Sequence, residues 1–266
     1  MDSRPIGVFD SGLGGLTAVR ELKRLLPNET VIYFGDTGRM PYGVRPAAEI
    51  RRIAVQNIEF IQSFNVKAVV AACGTISSTA DDILSGTPVF TRGVLKPGTA
   101  RLCQSRADAV GVIATATSIA SGAYQKRIGE IAPDKKVIAA ACPQFVPLIE
   151  SGRFDRNDEK VRAAVRKYLE PMRDAGVGAL LLGCTHYGLI AEAIDEFFDG
   201  RVELISASRA AAEETRDYLV AGELLGNGAE DRFFTSGSVS DFEKLGEIFL
   251  GRELRGRVEF IEPFEI

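Results

Sequence analysis

The chain has 266 residues, 45% hydrophobic and 26% charged, with a formal net charge of −4. That balance fits one large or two ordinary globular domains, and the negative charge argues against a nucleic-acid binder, which would show a basic face. No apolar run approaches the ~20 residues of a membrane span, and the four cysteines, at 73, 103, 142 and 184, include no Cys-x-x-Cys pair. With a single histidine in the chain, a four-ligand zinc site is not expected either. A strand begins almost at the first residue, so no signal peptide is expected, and free thiols point to a cytosolic protein.

In chain order, residues 6–9 form a short apolar strand, followed by DSGLGG (10–15) and an amphipathic run over 16–26 closed by Pro27. This is strand, glycine-rich turn, helix. It is either an anion-binding turn or a plain one, and the spacing Gly12-x-Gly14-Gly15 is not a dinucleotide fingerprint. A strand over 30–34 leads into a long loop, 35–46, of the kind that is often functional. A helix is expected over 47–64, with Ile50, Ile53, Ala54, Ile58 and Ile61 on one face. A strand over 68–72 then ends at Cys73, a helix runs through Leu84, and a short strand covers 88–90. Helices over 97–104, 118–128, 144–151 and 155–175 alternate with strands at 109–113, 136–140 and 177–182. Residues 187–198 read as helix and 202–205 as strand. The segment from Ala207 gives a helix, a strand at 232–235, a helix and a last strand at 257–261, and is expected to return to the first half.

Two echoes organise the chain. VGVIAT (110–115) repeats IGVFDS (6–11) at an offset of 104, and LLLGCT repeats VVAACGT with the cysteines 111 residues apart. The alternation of strand and helix argues α/β architecture: two similar α/β domains with parallel-type sheets, functional residues at the carboxyl ends of the strands, and the site in the cleft between them. The expected division is residues 1–96 with 207–266 as one domain and 97–206 as the other. His186, the only histidine, sits two residues from Cys184. A thiol has a reference pKa of about 8.5 that neighbours adjust. Two thiols across a cleft suit a reaction between mirror images: one removes a proton from carbon and the other returns one to the opposite face. Asp10 and His186 are placed to tune or relay for one cysteine each, and Ser11, Thr75, Thr115, Ser118 and Thr185 to hold a carboxylate. A buried cysteine taken singly is usually a small hydrophobe, and Cys103 and Cys142 are read that way.

The segments GVFDSGLGGLT, YFGDT-x-R-x-PYG, AC-x-T, SGAYQ, CPQFVPLIESG and LLGCTHYG together resemble the glutamate racemase family, within the cofactor-independent aspartate/glutamate racemase superfamily. The quoted segments lie between Gly7 and Gly188, and the resemblance spans from Ile6 to beyond Ile205. The resemblance implies Cys73 and Cys184 as the acid/base catalysts with Asp10 and His186 assisting. It implies substrate binding by Ser11, Tyr42, Gly43, Gly74, Thr75, Ser118 and Thr185, with Glu150 near the site. It implies no cofactor and no metal, glutamate as the small-molecule substrate, and no nucleic-acid or membrane partner. It also implies a cytoplasmic homodimer that supplies D-glutamate for peptidoglycan.

Three departures from the family pattern stand out. Cys73-Gly74-Thr75 replaces Cys-Asn-Thr, Ser118 replaces a threonine, and Ser206 stands where an aspartate is usual. Gly74→Asn is expected to change activity modestly, in either direction. Three other readings remain open. They are a racemase for aspartate or another amino acid, a cysteine hydrolase pairing one thiolate with His186, and a non-enzymatic descendant that binds a protein partner. The second cysteine at an equivalent position stands against the hydrolase, and retention of both cysteines, Asp10 and His186 against the descendant.

Overall fold

The computed structural model describes residues 1–262; the last four residues of the expected first domain, 263–266, lie outside the described residues. The chain begins β1 (Ile6–Asp10), α1 (Leu16–Leu25), β2 (Val31–Gly35), α2 (Ala47–Gln62), β3 (Ala68–Ala71), α3 (Gly74–Thr79), α4 (Asp81–Ser85), β4 (Phe90–Gly93). It continues α5 (Leu95–Cys103), β5 (Ala109–Ala114), α6 (Ala116–Ala120), α7 (Ala123–Ile131), β6 (Lys136–Ala141), α8 (Phe145–Glu150), α9 (Glu159–Asp174), β7 (Ala179–Leu182). It ends α10 (Ala191–Phe197), β8 (Glu203–Ser206), α11 (Ala207–Ala221), β9 (Arg232–Thr235), α12 (Val239–Leu250), β10 (Val258–Phe260).

These strands form two sheets, one of six in the order β10-β9-β2-β1-β3-β4 and one of four in the order β6-β5-β7-β8. Every pairing is parallel. The protein is therefore α/β with parallel sheets, as the alternation required. β9 pairs with β2, so the C-terminal segment does return to the first sheet. Strand parity sorts the side chains of the first sheet between two cores. Ile6, Val8, Tyr33, Ala68 and Val70 join the core shared with the second sheet, whereas Phe9, Ile32, Phe34, Val69 and Ala71 pack with α2. The face of α2 named from its periodicity is the buried one. It lies so close to β1 that a Cβ on Gly7 would stand 2.2 Å from the Ile61 side chain.

In each sheet the strand order reverses between two neighbours, β1 and β3 in the first and β5 and β7 in the second. The chain leaves β1 toward β2 and β3 toward β4, so the connections diverge and open a crevice at the carboxyl ends. β5 and β7 do the same in the second sheet. Cys73 follows β3 and Cys184 follows β7, so the sequence echo marks equivalent places in the two sheets.

Several boundaries differ from the sequence reading. The helix expected through Leu84 is two, α3 and α4, joined at Ala80. The helix expected over 118–128 is also two, because Gly122 takes a left-handed conformation (φ 68°) that no continuous helix accommodates. The strand expected at 88–90 lies at Phe90–Gly93, since Pro88 has no N–H to give the ladder. The loop 35–46 contains two 3-10 turns, Thr37–Arg39 and Tyr42–Val44, and 187–198 opens as a 3-10 turn, Thr185–Ile190, before α10.

Candidate active site

A cavity of about 350 Å³ lies between the two sheets, within the size range of small-molecule sites. Asp10, Ser11, Tyr42, Gly43, Cys73, Gly74 and Thr75 line it from the first sheet, and Thr115, Glu150, Cys184, Thr185 and His186 from the second. Of the residues expected in the site, only Ser118 does not reach the cavity. It is buried behind Thr115, whose hydroxyl donates to Ser118 Oγ at 2.9 Å. A broader depression of about 570 Å³, between α8 and α9 at Gln144, Lys160 and Lys167, contains neither Cys73 nor Cys184.

The two thiols sit in unlike surroundings. Burial and then the Asp10 carboxylate push the Cys73 thiol up to about 12, against the pull of the Ile76 N–H and the Ser11 hydroxyl. Cys73 therefore holds its proton at neutral pH. Asp10 is fixed at the start of the GLGG turn, where the Gly15 N–H donates to its Oδ2 at 2.7 Å. On the other side, Cys184 Sγ stands 3.7 Å from His186 Nδ1, and His186 Nε2 stands 3.0 Å from Glu150 Oε1. Burial works against a charged imidazole, but the Cys184 sulfur and the Glu150 carboxylate together outweigh it and raise His186 to about 10. His186 thus stays protonated at neutral pH and sets a positive charge beside Cys184.

A Cβ on Gly14 would lie 2.3 Å from His186 Nδ1 and 2.4 Å from Thr185 Oγ1. One on Gly15 would lie 2.5 Å from Asp10 Cβ. The glycine turn is bare where the start of α1 presses against the Cys184–His186 segment, and its Gly15 N–H is taken by Asp10. The Thr17 hydroxyl closes this contact, 3.2 Å from the Thr185 carbonyl and 2.9 Å from the Ser208 hydroxyl. Further along the cleft, Thr75 Oγ1 meets Thr115 Oγ1 at 3.1 Å, and the Thr117 hydroxyl donates to the Gly43 carbonyl at 2.6 Å.

Three features of the site escaped the sequence reading. The loop carrying Tyr42 and Gly43 is anchored by the buried Asp36 carboxylate, which accepts from Arg39 Nε at 2.6 Å, Ser236 Oγ at 2.6 Å and the Tyr42 hydroxyl. Tyr42 therefore offers the cavity its ring, while its hydroxyl is turned to Asp36. Second, Cys142, read as a core cysteine, is fully buried yet lines the cavity, and burial pushes its thiol up. Third, Tyr124, in the SGAYQ segment, donates to the Gly183 carbonyl at 2.9 Å. Asp36 and Arg39 could have been found as an acid and a base three residues apart inside a loop. Among the described residues no group of three or more His, Cys, Asp or Glu could hold a metal ion.

The profile of the Asp/Glu/Hydantoin racemase family matches residues 6–215. A glutamate racemase of Geobacter metallireducens is 40% identical over 261 residues, covering 96% of this chain and 95% of that one. The crystal structure of glutamate racemase from Francisella tularensis in complex with D-glutamate superposes with a TM-score of 0.91 at 37% identity, over 99% of each chain. Glutamate racemase from Thermus thermophilus in complex with beta-chloro-D-alanine gives a TM-score of 0.84 at 38% identity, over 98% of each chain. With a profile spanning most of its length and relatives at this identity over nearly all of it, the chain belongs to the Asp/Glu/Hydantoin racemase family.

Proposed function

We propose that the protein is a glutamate racemase that interconverts L- and D-glutamate with Cys73 and Cys184 as its two acid/base groups. The observation that carries this reading is the placement of the two thiols. Each follows the equivalent strand of its own parallel sheet, at a reversal of strand order, and both line one cavity. In the L to D direction the sulfur beside the His186 imidazolium, Cys184, takes the α-proton as a thiolate and becomes a thiol. The electron pair left on the α-carbon spreads into the substrate carboxylate. The Cys73 thiol, which holds its proton up to about 12, gives it to the opposite face and is left as a thiolate. The reverse reaction starts from that state, with Cys73 abstracting from the D enantiomer. The α-proton of an amino acid is very weakly acidic, so fixed donors must stabilise the developing charge. Ser11, Thr75 and Thr185 line the cavity and carry hydroxyls that can supply them, and Ser118 holds the Thr115 hydroxyl beside them.

Asp10 and Glu150 are assigned different work. Asp10 keeps the proton on Cys73, and Glu150 keeps His186 charged. Glu150 thus acts on the catalytic pair through His186. We read the first sheet with its helices, residues 1–96 and 207–266, and the second, 97–206, as two domains that close on the substrate. The strand pairings support this division. Its physiological task would be a cytoplasmic supply of D-glutamate for peptidoglycan, by a homodimer.

The test is racemisation of L-glutamate followed by circular dichroism, with Cys73→Ser and Cys184→Ser beside the native protein. Serine is close in size but a far weaker acid and base, so each variant should lose orders of magnitude in kcat while its thermal melt is unchanged. With β-chloro amino acids, Cys184→Ser should still eliminate chloride from the D enantiomer and Cys73→Ser from the L. Preference for aspartate over glutamate, or elimination from both enantiomers by both variants, would overturn the assignment.

A further inference from the structure

The residue after Cys73 and the residue before Cys184 are both glycines, and they touch. A Cβ built on Gly74 would stand 2.3 Å from the Gly183 carbonyl oxygen. Neither backbone can easily yield. Gly183 N–H donates to the Ile113 carbonyl at 2.8 Å, and its own carbonyl accepts from Tyr124 at 2.9 Å. Gly74 opens α3, which is bound to Cys73 through the Ser77 N–H at 2.9 Å from the Cys73 carbonyl. Reaching an ordinary contact of 3.4 Å from 2.3 Å takes a shift of about 1 Å, and that shift must come from separating the two sheets.

We propose that Gly74 is a positioning residue that sets the distance between the two thiols by letting the backbone segments that carry them meet directly at Gly183. The proposal rests on the two-thiol reading above. A side chain at position 74 acts as a spacer at the floor of the cleft. The sequence alone leads to a modest expected effect of Gly74→Asn; a larger one is expected here, because the first atom of any side chain meets a backbone carbonyl. A displacement of about 1 Å in a reacting pair can cost on the order of 100-fold in rate. Its signature is specific. One thiol still removes the α-proton, but the other no longer reaches the opposite face, so proton exchange outruns inversion.

The experiment compares the native protein with Gly74→Ala and Gly74→Asn. In heavy water with L-glutamate, both variants should lose about 10- to 100-fold in kcat with a smaller change in KM. Deuterium in recovered substrate, relative to product formed, should rise. A second reading needs no substrate. Cys73 and Cys184 are 4% and 8% exposed, and iodoacetamide should label both faster in Gly74→Ala, while the partly exposed Cys103 labels at the native rate. If the exchange-to-inversion ratio and the labelling of Cys73 and Cys184 both stay native, the proposal is wrong. Absence of glutamate turnover by the native protein overturns the function reading alone, and the labelling still decides the role of Gly74. Should Gly74→Ala not fold, Tyr124→Phe releases the Gly183 carbonyl without adding atoms. The same rise in exchange is then expected, and its absence counts against the proposal.

Discussion

Replacing Glu150 by glutamine separates its charge from its hydrogen bond. Glu150 Oε1 lies 3.0 Å from His186 Nε2, and the amide oxygen of glutamine can occupy the same place. A hydrogen bond to a charged group contributes about 1.5–3 kcal/mol and a neutral one about 0.5–1.5, so the change removes roughly 1–1.5 kcal/mol. That energy holds the proton on His186, and about 1.4 kcal/mol corresponds to one pH unit and to tenfold in rate. His186 is raised, so its paired form is complete below its ordinary value of about 6.5 and is lost as pH rises through about 10. The native alkaline limb governed by this group is therefore expected near pH 10, and in Glu150→Gln about one pH unit lower. Glu150→Ala leaves the imidazolium without its carboxylate. Burial, the strongest influence on His186, then favours the neutral ring, and the limb falls further. The assay is kcat/KM against pH in both directions of racemisation. A Glu150→Gln enzyme that is slower but keeps the native alkaline limb would refute the reasoning, because Glu150 would then not act through the proton on His186.

Two other perturbations test the surroundings of the site. Lys67 is fully buried, pairs with Glu29 at 2.6 Å and donates to the carbonyls of Asp2 and Leu224, both at 2.8 Å; Lys67→Ala strands a buried carboxylate and should cost about 3–5 kcal/mol in urea unfolding, with native kcat per folded molecule. Cys142 lines the cavity, but burial keeps its thiol protonated. Cys142→Ser should hence retain most of the racemase rate, and a collapse comparable to Cys184→Ser would give Cys142 a part in proton transfer.

The parts of this molecule legible in the sequence are those governed by short-range patterns. Apolar runs located the strands within a residue or two except at 88–90, because a buried parallel strand is apolar on both faces. The echo between the two cysteine strands pointed to the cavity that both cysteines line, because divergent connections put equivalent strand ends beside the cleft. Contacts between distant segments were not legible. Nothing near Gly14 in sequence says that His186 will rest against it, and nothing near Gly74 announces the Gly183 carbonyl. The glycines report only that a side chain is absent. The helix over 118–128 was misread for a related reason, since Gly122 does not reveal its left-handed conformation until α7 has packed. Ser118 was placed in the cavity by its hydroxyl, but that group instead serves Thr115 one layer back.

The central claim is that two thiols work from opposite faces of the α-carbon. Its most direct test is the first turnover of D-glutamate in heavy water, with substrate and product separated and analysed by mass spectrometry. The account predicts that the L product carries deuterium at the α-carbon while unreacted D-glutamate retains protium. It also predicts that Cys184→Ser abolishes product formation. Product that retains the original α-proton, or equal deuterium in substrate and product from the first turnover, would mean that a single group serves both faces and would contradict the assignment of Cys73 and Cys184.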